Sequence, residues 1–158
     1  MSAANEFPNL HIVDHPLVLH KLRHLRDETT ASVDFRALLR EMALLIGYEI
    51  TRVLDMTSKK ITTPITEMEA PILASIKPAI VPVLRAGLGM AEGLSQLIPT
   101  APIGHIGLFR DPETKRPVEY YVRLPENKDR LFILVDPMLA TGYSASYAVD
   151  VLNKYGVP

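Results

Sequence analysis

The residues best equipped for chemistry follow an apolar run at 131–135. They are Asp136, Pro137, Met138, Leu139, Ala140, Thr141, Gly142, Tyr143 and Ser144, with a helical stretch at 145–155 behind them. A strand that ends in a loop and a helix N-terminus offers unpaired backbone amides and the positive end of a helix dipole, the ingredients of a phosphate cradle. Thr141 and Ser144 add hydroxyl donors, and Gly142 admits close backbone approach. Asp136 has the opposite character: an ionised carboxylate only accepts, so it repels phosphate and receives the hydroxyls of a sugar. An acceptor and a phosphate nest a few residues apart describe a phosphorylated ribose.

Two further loops carry cations. Val83 and Leu84 run into Arg85, Ala86, Gly87, Leu88, Gly89 and Met90, and Gly107, Leu108 and Phe109 run into Arg110 and Asp111. Ligands of open α/β sheets bind beyond the carboxyl ends of the strands, where all three segments fall. The apolar strand, the acidic residue and Ala140-Thr141-Gly142-Tyr143-Ser144 resemble the ribose-phosphate motif of the type I phosphoribosyltransferases. The run Asp-Pro-Met-Leu-Ala-Thr-Gly at 136–142 looks like the uracil-specific branch, and residues 83–90 resemble its pyrophosphate loop. The similarity also takes in residues 7–10, 15–17, 40–41, 47–49 and 107–111. Tyr143 departs from it, because the family often has Gly there; Tyr keeps the backbone N–H but disfavours positive φ, so a slightly different local turn is expected.

The resemblance implies transfer of a phosphoribosyl group from 5-phosphoribosyl pyrophosphate to uracil, giving uridine monophosphate and pyrophosphate, with Mg2+ carried on the donor. It implies that Arg85, Ala86 and Gly87 form the pyrophosphate loop, that Arg110 joins Arg85 at the departing charge, that Asp136 takes the ribose hydroxyls, and that residues 137–144 complete the donor site. It assigns no acid, base or nucleophile and no protein-held metal. A homodimer and a cis peptide bond between Arg85 and Ala86 are also implied. The family continues past Pro158 with strands and a segment that grips uracil. The expectation is therefore one domain over 1–158, incomplete at its C-terminal end and with an open sheet edge.

Two readings from other classes compete: a pyrimidine-responsive RNA-binding regulator on the same fold, and a nicotinamide-dependent oxidoreductase. For the latter, Gly87 and Gly89 with Gly93 follow a strand, yet Glu92 stands where the third glycine of a dinucleotide loop belongs, and only Asp111 offers an acidic ribose anchor. No Gly-Lys-Ser or Gly-Lys-Thr occurs. His20 and His24 stand four apart among Lys21, Arg23 and Arg26 with no carboxylate beside them, a solvated face rather than a metal site. Arg110 and Asp111 have an ordinary reading too, as a solvated pair opening a loop.

The elements that must position these loops are legible in the patterning. Pro16 can open a helix through residue 26. Val33, Leu38, Leu39, Met42, Leu45 and Ile46 recur near the helical period over 32–52, with Thr30 or Ser32 as cap. Residues 79–84 read as a buried strand, 90–97 as a helix stopped by Pro99 and Pro102, and 103–109 as the next strand. Residues 118–124 and 131–135 are expected to form the arms of a hairpin, whose Tyr120 and Tyr121 would suit a dimer interface. The Thr-rich stretch at 59–64 is assigned no element. The predicted fold class is α/β: an open, mainly parallel sheet flanked by helices, with a hairpin arm.

Composition agrees with that class. With 158 residues, 47% of them hydrophobic and 22% charged, one compact domain is expected. A net charge of -1 gives no basic stripe for a nucleic acid. The absence of cysteine removes thiolate chemistry and suits a reducing cytoplasm. Residues 1–15 lack the pattern of a secretory leader, and no run is long enough for a membrane helix.

Overall fold

The computed structural model describes residues 7–74, 78–114, 116–126 and 129–157. The expectations for the first six residues, for parts of the loops at 112–117 and 125–129, and for Pro158 lie outside the described residues.

Helix α1, Pro16–Arg26, starts where proline can occupy the first turn, and the His15 ring accepts a bond from the Leu17 N–H at 3.2 Å. Helix α2, Ser32–Ile50, runs on as a single 3-10 turn, Thr51–Val53. Neither predicted cap serves it. Its cap position is Ala31, and the Thr30 hydroxyl instead donates to the His24 carbonyl at 2.6 Å, tying the end of α1 to the start of α2.

Strands β1, Met56–Thr62, and β2, Glu67–Leu73, form a separate antiparallel hairpin. The remaining elements are β3, Ala79–Leu84, α3, Leu88–Leu97, β4, His105–Arg110, β5, Pro117–Arg123, β6, Phe132–Val135, and α4, Tyr143–Lys154. The four later strands make one sheet in the order β5-β4-β3-β6, with β3 parallel to both β4 and β6 and β5 antiparallel to β4.

This arrangement corrects the expected hairpin. β5 and β6 lie at opposite edges of the sheet, and the free-standing arm is β1–β2, in the stretch left unassigned. The reason lies in burial. Ile133 and Val135 of β6 enter the core beside β3, whereas β5 exposes Glu119, Tyr120 and Tyr121 and suits an edge.

β3 is apolar on both sides because both sides are covered. Ile80 packs with Ala91 and Leu94 of α3 and with Ile133 and Val135. Val81 and Val83 pack with Ile106 and with Ala148, Val151 and Leu152 of α4. α2 lies over α3 at a range that forbids a side chain: a Cβ at Gly93 would stand 2.4 Å from the Arg40 carbonyl oxygen. Among the described residues nothing pairs with the outer edge of β6, where a groove of about 550 Å3 is lined by Phe132, Leu134, Val149 and Leu152. No helix among them is long and apolar enough to cross a membrane.

Candidate active site

Parallel pairing brings three chain segments to one edge of the sheet. Pro82 stands opposite Val135 and Leu84 opposite Gly107. The carboxyl ends of β3, β4 and β6 are therefore neighbours, and they deliver Arg85, Arg110 and Asp136 respectively. The sequence brought these three together only through a general rule about open sheets; the register does so through hydrogen bonds.

The loop after β3 is a tight turn. Arg85 and Ala86 are exposed, Gly87 is buried, and the Gly87 N–H donates to the Val83 carbonyl at 2.9 Å before α3 begins. Among the described residues nothing pairs with the Arg85 side chain. The cis peptide bond of this loop joins Leu84 to Arg85, one residue earlier than the expected bond between Arg85 and Ala86.

The loop after β6 turns back sharply into α4. The Gly142 N–H donates to the Leu139 carbonyl at 2.7 Å, with Ala140 and Gly142 at φ 42° and 79°. A non-glycine residue held in the left-handed region carries roughly 1–3 kcal/mol of strain, and such residues concentrate in ligand loops. No side chain caps α4. The amides of Tyr143, Ser144 and Ala145 thus lack intrahelical partners, and the exposed Thr141 adjoins them. Tyr143 is already helical, so the turn asks positive φ of Gly142 rather than of the tyrosine. Pro137, Met138 and Leu139 are exposed around the turn.

Asp136, just past the end of the outer strand β6, is half-buried. Burial raises its carboxyl above the usual Asp range, while the Met138 N–H it accepts from and the nearby Arg110 guanidinium pull the other way. That proximity of a cation and a carboxylate across two strand ends had no signal in the sequence. Asp111, by contrast, is occupied by its own turn: its carboxylate accepts from the N–H groups of Glu113 and Thr114 at 3.0 and 2.7 Å and from the Thr114 hydroxyl at 2.9 Å. The adjacent Arg110 and Asp111 therefore separate: Asp111 closes its own loop, and Arg110 contributes its charge near Asp136.

A raised carboxyl has two consequences of opposite sense. Its charged form is penalised in the fold, so Asp136 contributes stability when protonated, and that contribution is lost as pH rises through the folded-state value. Hydroxyl recognition needs the charged form, so affinity for a ribose ligand should fall on acidification at a higher pH than it would with an ordinary Asp. Titrating affinity against pH in the wild type and in Asp136→Asn checks this, since the variant should lack the acid limb; identical limbs in both would remove the assignment.

Elsewhere, His20 and His24 meet edge to face at 4.8 Å between ring centroids. Among the described residues no group of three His, Cys, Asp or Glu side chains converges to hold a metal ion. The Tyr120 ring covers Gly107 and lies 6.4 Å from the Phe109 ring.

Comparison with known proteins gives a single picture. The sequence model of the uracil phosphoribosyltransferase family matches residues 12–158. Curated uracil phosphoribosyltransferases of Burkholderia mallei and Burkholderia pseudomallei are each 59% identical over 158 residues, which is 100% of this chain and 73% of theirs. Among solved structures, the AQ2163 protein of Aquifex aeolicus superposes with a TM-score of 0.87 at 34% identity, over 92% of this chain and 70% of that one.

Proposed function

The chain belongs to the uracil phosphoribosyltransferase family, and from that premise we propose how its residues serve the reaction. The reaction is transfer of a phosphoribosyl group from 5-phosphoribosyl pyrophosphate to uracil, giving uridine monophosphate and pyrophosphate in pyrimidine salvage. It is glycosyltransferase chemistry and needs no covalent nucleophile. The transition state has oxocarbenium character, so the protein's work is to hold the donor in line with the base and to offset the charge that departs.

The observation that carries the residue assignments is the meeting of Arg85, Arg110, Asp136 and the uncapped start of α4 on one sheet edge. In this reading the amides of residues 143–145, with the Thr141 and Ser144 hydroxyls, hold the 5′-phosphate. Asp136 accepts from the ribose hydroxyls. The backbone amide of Ala86 and the guanidinium of Arg85 take the pyrophosphate, with Arg110 completing the positive side. Gly87, its N–H held by the Val83 carbonyl, shapes the loop without touching the ligand. Mg2+ enters as part of the donor, because its preference for oxygen ligands is met largely by the diphosphate and by water.

Calorimetric titration with the donor, with and without Mg2+, tests the reading directly; no binding in either condition would reject it. A sharper test is Thr141→Ala. Losing a hydroxyl aimed at a charged phosphate removes roughly 1.5–3 kcal/mol, so the donor's dissociation constant should rise about tenfold or more. An unchanged constant in the folded variant would exclude the anchoring role.

We further infer a homodimer in the cytoplasm. The β1–β2 arm supports the first, since Ile61, Met68 and Ile72 lie exposed along one face of it. The cysteine-free composition supports the second. Neither the RNA regulator nor the oxidoreductase is favoured beside relatives that are uracil phosphoribosyltransferases.

A further inference from the structure

Gly87 adopts φ -67° and ψ -14°, a right-handed conformation open to any L-residue, so backbone freedom does not explain a glycine there. Space does. A Cβ on Gly87 would lie 2.4 Å from the Val135 carbonyl oxygen and 2.9 Å from both the nitrogen and the oxygen of Val83. All three are main-chain atoms of packed strands, which cannot rotate aside as a side chain does. The contact joins two parts of the site, because Val135 immediately precedes Asp136 and Val83 lies just before Arg85. Gly142, at the opposite end of the ribose-phosphate loop, differs: a Cβ there meets nothing within 4 Å.

We propose that Gly87 is a positioning residue which, by resting the pyrophosphate loop directly on the end of β6, sets the spacing between the two halves of the donor site. The proposal rests on the donor assignments above. The donor carries its diphosphate and its ribose 5-phosphate on one covalent frame, so both must be met at a single separation. Ribose 5-phosphate or pyrophosphate alone needs only its own half. A methyl group wedged between the loop and Val135 leaves each half usable and spoils their spacing.

The test is calorimetric titration of wild type and Gly87→Ala, in Mg2+, with 5-phosphoribosyl pyrophosphate, ribose 5-phosphate and pyrophosphate. In the variant each fragment should change about threefold or less, while the whole donor weakens on the order of a hundredfold, because the advantage of joined groups is lost when their sites shift by about an ångström. Gly93→Ala is the matched control. It imposes the same 2.4 Å collision on a backbone carbonyl, that of Arg40, away from the site. It should lower the unfolding midpoint and leave the ratio of donor to fragment affinity as in the wild type.

Equal weakening of all three ligands in Gly87→Ala, or an unchanged donor constant, overturns the proposal. A wild type that binds neither fragment nor donor overturns the underlying site reading instead. Should Gly87→Ala not fold, hydrogen exchange on the wild type decides. Saturating ribose 5-phosphate, held on the β6 side, should slow exchange of the Gly87 N–H, and an unaltered rate there defeats the coupling.

Discussion

Asp136→Asn should raise the dissociation constant of 5-phosphoribosyl pyrophosphate about a hundredfold, the equivalent of losing one charge-assisted hydrogen bond and weakening a second, roughly 3 kcal/mol in all. The amide keeps the shape of the carboxylate, and its oxygen can still accept from the Met138 N–H. Its nitrogen only donates, so one ribose hydroxyl faces another donor. Folding should respond in the other direction. Burial already penalises the charged Asp136, and a neutral side chain lifts that penalty, so the variant's unfolding midpoint at neutral pH should equal or exceed that of the wild type. The combination separates function from structure: weak binding in a destabilised protein would mean that Asp136 holds the loop rather than the ligand.

Ile80→Ala should be the most damaging single truncation of the fold. Ile80 is 0% exposed, it lies in the strand flanked on both sides by parallel neighbours, and it packs against α3 and β6 together. Removing its side chain loses transfer free energy and leaves a cavity between secondary-structure elements that cannot close, about 3–5 kcal/mol by comparison with other buried aliphatic truncations. Denaturant unfolding should show the midpoint shifted with the slope unchanged. A loss below about 1 kcal/mol would mean that the α3 face of the sheet collapses to fill the gap.

The sequence was most legible where burial and chemistry coincide. Residues 79–84 are apolar on both faces, and a strand covered by helices on both sides is what that pattern means. Pro16 marked the start of α1 to the residue. The candidate site motifs were visible because each sits just past an apolar strand, where side-chain chemistry is not needed for packing.

Partner choice was not legible. β5 and β6 both alternate or run apolar and follow each other closely, which suggests a hairpin; only the packing of Ile133 and Val135 against β3 takes β6 to the far edge. The β1–β2 arm escaped notice because all but Ala70 of its residues are exposed and its strands carry no apolar rhythm. Its signal lay in the turn. Thr63 accepts from the Thr66 N–H at 3.0 Å through a hydroxyl that also donates to the Thr66 carbonyl at 2.7 Å, and an ion pair between Lys60 and Glu67 joins the strands beside it. Arg110 and Asp111 show the same limit at the site. Adjacent in sequence, they are divided by a turn that consumes one and frees the other.

The central place of β3 also bears on how the molecule is made. β3 leaves the ribosome ahead of both of its parallel neighbours, and β6 is the last strand among the described residues to appear. Until β6 arrives, β3 has one edge bare, and pairings between segments so distant in the chain form slowly and leave strand edges open meanwhile. The Val135 carbonyl that Gly87 rests upon does not yet exist, nor does Asp136. On the donor reading proposed above, the capacity to bind therefore waits on two late events, the pairing of β6 with β3 and the turn from β6 into α4.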